Sequence, residues 1–333
     1  MEARRKRLLV IRFSALGDVA MLVPLVRHVA ERYPDWDFTM LSRRQYAPLF
    51  SNMPANVHFY GADLRGRHHR LWGLSSLLDE IDYRSYDAVA DMHDVLRSQY
   101  LRTRMFLAGK RCAHVFKARV QRWLLVRHNY RHKQPLVPMI ERYRAVFTEL
   151  GFLTDMQFAT SVDESIRTHI GIAPFAAHKG KIYPSDRMEQ VVATLGKTMA
   201  DRGEKVLLFG GGEKEQAVLN EWERKYDGVE SLAGKYKMDK EIAVMRGLRL
   251  MLTMDSANMH LASLAGTRVL SVWGATHPWA GFLGYGQKES DCIQLNLPCR
   301  PCSIYGNRFC KYRDYHCLDI APETIIKCVE AAL

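Results

Sequence analysis

Residues 251–276, "MLTMDSANMHLASLAGTRVLSVWGAT", decide the fold. An apolar run stops at Asp255-Ser256, small residues and His260 follow at helical spacing, and a second apolar run begins just past Gly266. Strand, helix and strand in that order form a crossover unit of a parallel sheet, and such sheets bind ligands beyond the carboxyl ends of their strands. Ser256, Ala257 and Asn258 fall in the first helical turn, where short side chains let a ligand approach the backbone. The free N–H groups and the helix dipole there suit a phosphate. Ser256 could donate its hydroxyl, and His260, one turn on, could face the same side. Asp255 repels a phosphate, so it is expected to cap backbone N–H groups or to accept from sugar hydroxyls. A plain helix cap with a core histidine accounts for the same letters.

Outward from this seam the alternation repeats. The first half reads as the strand "RLLVIRF" (7–13), the turn and helix "SALGDVAMLVPLVRHVAERYP" (14–34), and strands in "DFTMLS" (37–42) and "YDAVADMHD" (86–94). A helix in 139–152 precedes polar "TDMQFATSVDES" (154–165), which is taken as the linker. The second half restarts with "IGIAPF" (170–175), the helix 185–203, "KVLLFGG" (205–211), the helix 213–226 and "LRLMLTM" (248–254). The pattern predicts α/β architecture: two Rossmann-like, doubly wound domains with parallel sheets facing a cleft, over residues 1–160 and 161–333. A closing helix in 321–333 is expected to pack back toward the first domain. No apolar run approaches the ~20 residues of a membrane span. The basic start leads into about six apolar residues interrupted by Arg12, a first strand and not a signal peptide. A cytoplasmic protein is expected.

The net charge of +12 is uneven. Residues 1–150 hold 26 Lys+Arg against 14 Asp+Glu, and residues 151–333 hold 22 of each. Basic clusters occur at 65–70, 109–122 and 127–133. Such a field attracts a polyanion: nucleic acid, an anionic membrane face or an acidic glycan. A solvated surface is the bland alternative for any one cluster. Seven cysteines include Cys299, Cys302, Cys310 and Cys317, spaced C-x2-C-x7-C-x6-C. In a reducing compartment four thiolates could hold a structural zinc, or pack in a compact loop without metal.

Three more loops belong with the opening stretch. In "FAAHKGKIYP" (175–184), Lys179 or Lys181 could meet a diphosphate. "FGGGEKE" (209–215) allows close backbone approach and leaves Glu213 to hold a ribose diol, or simply to start a helix. "FSALGD" (13–18) places Asp18 at a helix N-terminus, where the dipole favours its ionised form and a base role; a cap is its plain reading. GxGxxG is absent, so no dinucleotide fingerprint marks the first domain.

Together these motifs resemble the bacterial lipopolysaccharide heptosyltransferases, glycosyltransferase family 9, whose enzymes have the GT-B fold. The matching stretches, in family order, are "IRFSALGDVAMLVPLVR", "YDAVADMHDVLRS", "ERYRAVFTELG", "KGKIYP", "FGGGEKE" and "DSANMHLASLAGTRVLSVWGATHPW". "CRPC" and the later cysteines resemble a cysteine-rich loop common in the family. The resemblance implies an acceptor domain followed by a nucleotide-sugar donor domain. It puts the catalytic base on Asp18, a donor diphosphate ligand on Lys181, and the D-[ST]-G-x-x-H motif on Asp255, Ser256, Ala257 and His260, with Ala257 in place of glycine. Ala176 and Ala177 stand where hydroxyl side chains often contact phosphate, which opens the identity of the donor sugar. The implied reaction is inverting, metal-independent transfer of heptose, from ADP-heptose, to an anionic lipid-linked core oligosaccharide at the inner membrane's cytoplasmic face. His93, Arg97, Arg119 and Arg122 are candidate acceptor contacts; a solvated helix face is the alternative for the last two. Two rivals stand beside this: a same-fold glycosyltransferase or epimerase using another nucleotide sugar, and a non-catalytic polyanion binder. No recognised nucleic-acid module is present.

Overall fold

The first strand, β1 (Lys6–Ile11), has Leu8 to Ile11 wholly buried, as a strand covered on both faces by crossover helices must be. In the computed structural model, which describes residues 4–128, 130, 132–156 and 167–333, β1 leads into α1 (Leu16–Arg32) and β2 (Trp36–Arg43). Then come β3 (Val57–Ala62), α2 (Leu71–Glu80), β4 (Ala88–Asp91), α3 (Leu96–Leu107) and β5 (Arg111–His114). The strands pair in parallel in the order β3-β2-β1-β4-β5. Two short helices follow, α4 (Arg119–Leu125) and α5 (Met139–Glu149).

The second sheet alternates strand and helix in the same way. Its elements are β6 (Thr168–Ala173), α6 (Ser185–Ala200), β7 (Val206–Leu208), α7 (Glu213–Lys225), β8 (Val229–Ser231) and α8 (Met238–Arg246). Next are β9 (Leu248–Met254), α9 (Ala257–Leu264), β10 (Arg268–Trp273), β11 (Cys292–Gln294) and α10 (Pro322–Glu330). All its pairings are parallel, in the order β11-β10-β9-β6-β7-β8. Read from the other edge, this is the 3-2-1-4-5-6 order of the dinucleotide-binding fold. The strand order reverses between β1 and β4 in one sheet and between β6 and β9 in the other. Each reversal opens a crevice where the two neighbouring crossovers leave on opposite faces.

The chain divides into two compact units, residues 1–117 with 139–157, and residues 118–138 with 158–333. The boundary expected at 160/161 lies outside the described residues. Residues 118–138 join the second unit because their apolar side chains are buried there. Leu125 and Leu136 pack with Ala280, Trp279, Phe282 and Ile304, and the Leu136 N–H donates to the Trp279 carbonyl at 2.8 Å. α5 belongs to the first unit, where its Phe147 meets Phe152, and Phe152 in turn meets Tyr33, Trp36 and Phe38. The apolar face of α10 is committed to the second unit: Ile325 and Val329 are wholly buried in a core shared with Met188, Val192 and Leu195 of α6.

Candidate active site

In the first unit the loops after β1 and β4 meet at the switch point. Asp18 lies in the first turn of α1, and its Oδ2 accepts from the Ala15 N–H at 3.1 Å. The expected cap is therefore present. The same Oδ2 pairs with Arg12 Nη2 at 2.5 Å, while Oδ1 is shielded from solvent and has no hydrogen-bond partner among the described residues. Across the switch point, His93 Nε2 lies 3.4 Å from Ser14 Oγ. Burial, then the cations Arg12, Lys117 and Arg43, push the His93 pKa down to about 2, so the imidazole is neutral at any working pH. The loop carrying it is fixed by Asp91, a wholly buried carboxylate. Asp91 accepts from the His93 and Asp94 N–H groups at 2.9 and 2.8 Å and from Arg102 at 2.8 Å. Arg97, at the start of α3, reaches the His69 carbonyl at 3.5 Å.

The second unit repeats the arrangement. Lys181 closes a short 3-10 turn (Lys179–Lys181) after β6, and Asp255 directly follows β9. Lys181 Nζ and Asp255 Oδ2 are 2.9 Å apart, with side chains only 15% and 7% exposed. Asp255 Oδ2 also accepts from the buried Thr276 hydroxyl at 2.7 Å. Asp255 is the counter-ion of the lysine, a pairing that its expected roles as helix cap or acceptor of sugar hydroxyls did not include. Two residues 74 positions apart in sequence are thus joined at the switch point. Ser256 is the N-cap of α9, but its hydroxyl lies 3.1 Å from Thr253 Oγ1 and caps no N–H. Ala257 opens the helix, and His260 is buried one turn on. Glu213 is the exposed first residue of α7, beyond β7, while Glu215 accepts from the Gly211 N–H at 2.8 Å. Lys179 departs from Lys181: it lines a separate cavity of about 540 Å³ with Arg187, Asp314 and His316.

The Lys181 turn is held from behind. The Ala275 N–H donates to the Gly180 carbonyl at 2.7 Å, and a Cβ on Gly180 would meet Ala275 Cβ at 2.8 Å. Gly306, with φ +78°, lets the cysteine-rich segment lie against the methylene stem of Lys181. Arg300, inside "CRPC", is 5% exposed. Its guanidinium donates to the carbonyls of Trp273, Gly274, Thr276 and Leu295 and to Gln294 Oε1. Cys299, Cys302, Cys310 and Cys317 border one small cavity of about 30 Å³ with His128 and His316. Among the described residues, no three His, Cys, Asp or Glu side chains form a group able to hold a metal ion.

Arg119 and Arg122 lie on α4, in the second unit and not beside His93 and Arg97. Arg122 donates to the Tyr305 hydroxyl at 2.8 Å and lies over the Phe282 ring at 5.5 Å. Sequence reasoning missed Arg12, Thr276 and Arg300. The one available signal was Arg12 itself, a lone charge at the end of an otherwise apolar strand.

Two parallel-sheet units, each with charged side chains gathered at its switch point, define a GT-B-type α/β protein. Residues 74–313 match the profile of glycosyltransferase family 9 (heptosyltransferase), and the chain belongs to that family. It is 27% identical over 325 residues to lipopolysaccharide heptosyltransferase 1 of Pseudomonas aeruginosa, covering 89% of this chain and 86% of that protein. With lipopolysaccharide heptosyltransferase 3 of Escherichia coli K12 it shares 24% identity over 290 residues, 79% and 82% of the two chains. Among solved structures it resembles a family 9 glycosyltransferase from Veillonella parvula, with TM-score 0.72, 18% identity and coverage of 100% and 98%. E. coli heptosyltransferase WaaC with ADP gives TM-score 0.68, 17% identity and coverage of 98% and 100%.

Proposed function

We propose that this protein transfers heptose from ADP-heptose to the core of lipopolysaccharide or a related lipid-linked glycan, with inversion at the anomeric carbon. The observation that carries the reading is the second unit's switch point, where the Lys181 ammonium stands beside the N-terminus of α9. A departing diphosphate is the ligand that such a pairing of one cation with free N–H groups suits. Relatives and structural neighbours whose names include heptosyltransferase, ADP and ADP-2-deoxy-2-fluoro heptose support the same donor.

Asp18 Oδ1 takes the proton of the acceptor hydroxyl as that oxygen bonds to the anomeric carbon. The bond from that carbon to the diphosphate oxygen breaks, and its electron pair leaves with ADP. Lys181, the Ser256 hydroxyl and the N–H groups at the start of α9 stabilise the charge that develops, so a divalent ion is not required. Glu213 holds the ribose diol, a role supported by its exposure at the start of α7, and Ala257 leaves room for the backbone approach. His260 completes the motif. On the acceptor side, His93 and Arg97 receive the acidic sugars. Arg119 and Arg122 are further candidates. Contact with the cytoplasmic face of the inner membrane is supported by the start of α2. There Leu71 and Trp72, 63% and 86% exposed, follow the basic run at 65–70. No helix among the described residues is long and apolar enough to cross a membrane.

The test is Asp18→Asn with calorimetry of ADP, UDP and GDP. Transfer is expected to fall by about 10²–10⁴-fold while ADP binding is retained. Unchanged turnover removes Asp18 as the base, and preference for UDP or GDP replaces the donor. Binding of duplex DNA without any nucleotide binding would return the protein to a polyanion binder.

A further inference from the structure

The base assignment leaves unexplained why a buried guanidinium stands at the carboxyl end of β1. Arg12 is 7% exposed and follows four wholly buried apolar residues. An arginine in such a place is destabilising unless its donors are paired. Its backbone is locked: its N–H donates to the Leu41 carbonyl at 3.1 Å, and its own carbonyl accepts from the Ser42 hydroxyl at 2.5 Å. The side chain spans the switch point. Nη1 donates to the Met92 carbonyl at 2.6 Å, Nη2 pairs with Asp18 Oδ2 at 2.5 Å, and the guanidinium carbon lies 5.7 Å from the Tyr143 ring centre.

We infer that Arg12 is the positioning residue of the reaction: by clamping Asp18 Oδ2 against the β4 loop, it fixes the carboxylate with Oδ1 left as the proton acceptor. This deepens the base reading of Asp18 and rests on it. The geometry divides the carboxylate's labour. Oδ2 is saturated by the Ala15 N–H and Arg12, and Oδ1 alone is unpartnered among the described residues. The anchor on Met92 matters because the next residue is His93, so one guanidinium sets the distance between the base and the candidate acceptor contact. The charged groups around this corner are Arg43 from β2, Asp91 at the end of β4 and Lys117 beyond β5, with the neutral His93 ring among them. The variants below leave all of them in place.

The experiment compares Arg12→Gln, Arg12→Met and Arg12→Lys with Asp18→Asn, measuring kcat, the donor KM and ADP affinity. Both neutral variants are expected to lose about 10²-fold in kcat, the scale of a misplaced reacting group, with donor KM and ADP affinity unchanged. Arg12→Lys keeps a cation able to pair with Asp18 Oδ2, so most of the rate returns. Arg12→Gln combined with Asp18→Asn loses no more than Asp18→Asn alone. If Asp18→Asn is inactive but the folded neutral variants keep the rate, Arg12 has no positioning role and the base reading stands. A loss of kcat that Arg12→Lys does not restore, with ADP affinity falling alongside it, marks a merely structural residue and also overturns the inference. If Asp18→Asn keeps its rate, the base reading falls first. Two neutral side chains of different polarity are used so that one misfolded variant does not decide the result.

Discussion

Replacing Lys181 with methionine keeps the methylene stem against Gly306 and removes the charge alone. Two effects follow, and they can be separated. The first is on the ligand: a charge-assisted hydrogen bond to phosphate contributes about 1.5–3 kcal/mol, so ADP should bind roughly 10- to 150-fold more weakly. The second is on the fold. Asp255, 5% exposed, would keep only the Thr276 hydroxyl, and breaking a buried pair on one side costs about 3–5 kcal/mol. Lys181 retains 15% side-chain exposure, which places the cost at the lower end of that range. The double variant Lys181→Met with Asp255→Asn removes the orphaned charge, so stability recovers while the ADP affinity does not. The assays are calorimetry with ADP, AMP and adenosine, and thermal unfolding of each variant. If the ammonium meets the diphosphate, Lys181→Met weakens ADP far more than adenosine. Equal weakening of all three, or an affinity that recovers together with stability in the double variant, would refute the argument.

Three further outcomes are expected. His93 titrates near 2 when folded and near 6.5 when unfolded, so the unfolded chain binds more protons between these values and stability falls as pH drops below about 6.5. On going from pH 7.5 to pH 5, His93→Gln should therefore lose less melting temperature than the parent; an equal loss contradicts the buried, neutral ring. Gly306→Ala places a methyl group against the Lys181 stem at a φ of +78° and should weaken ADP binding without touching Asp18; unchanged affinity would show that the lysine tolerates displacement. Transfer measured in excess chelator should equal transfer in magnesium, since the leaving diphosphate is met by Lys181 and amide groups; dependence on added metal would reject that account.

The sequence disclosed the interior strands and concealed the edges. β1, β2, β4, β6, β7, β9 and β10 are read from apolar runs because both faces of their sheets are covered. β3, β5, β8 and β11 went unread for a shared reason. "RCAH", "VES" and "CIQ" are edge strands of three or four residues, and "VHFYGA" is an edge strand with only Ala62 buried. Their pairing depends on a neighbouring strand already being in place, which no local pattern records. The candidate site shows the same division. Loop positions and a helix N-terminus are local, so Asp18, Lys181 and Ser256 could be singled out. Whether Asp255 caps a helix or neutralises a lysine is decided by a contact 74 residues away in sequence. Residues 118–138 were expected in the first domain because they precede the polar linker at 154–165, but Leu125 and Leu136 find their apolar partners in the second unit.

Arg300 ties five oxygen acceptors from two stretches of chain, 273–276 and 294–295, to one side chain. Amide hydrogens in those stretches should therefore exchange together, as one cooperative block and not as two loops fraying separately. Thr276, which steadies Asp255, belongs to that block. The polar end of the second sheet is accordingly a stiff seat, and motion during turnover must be sought in other segments.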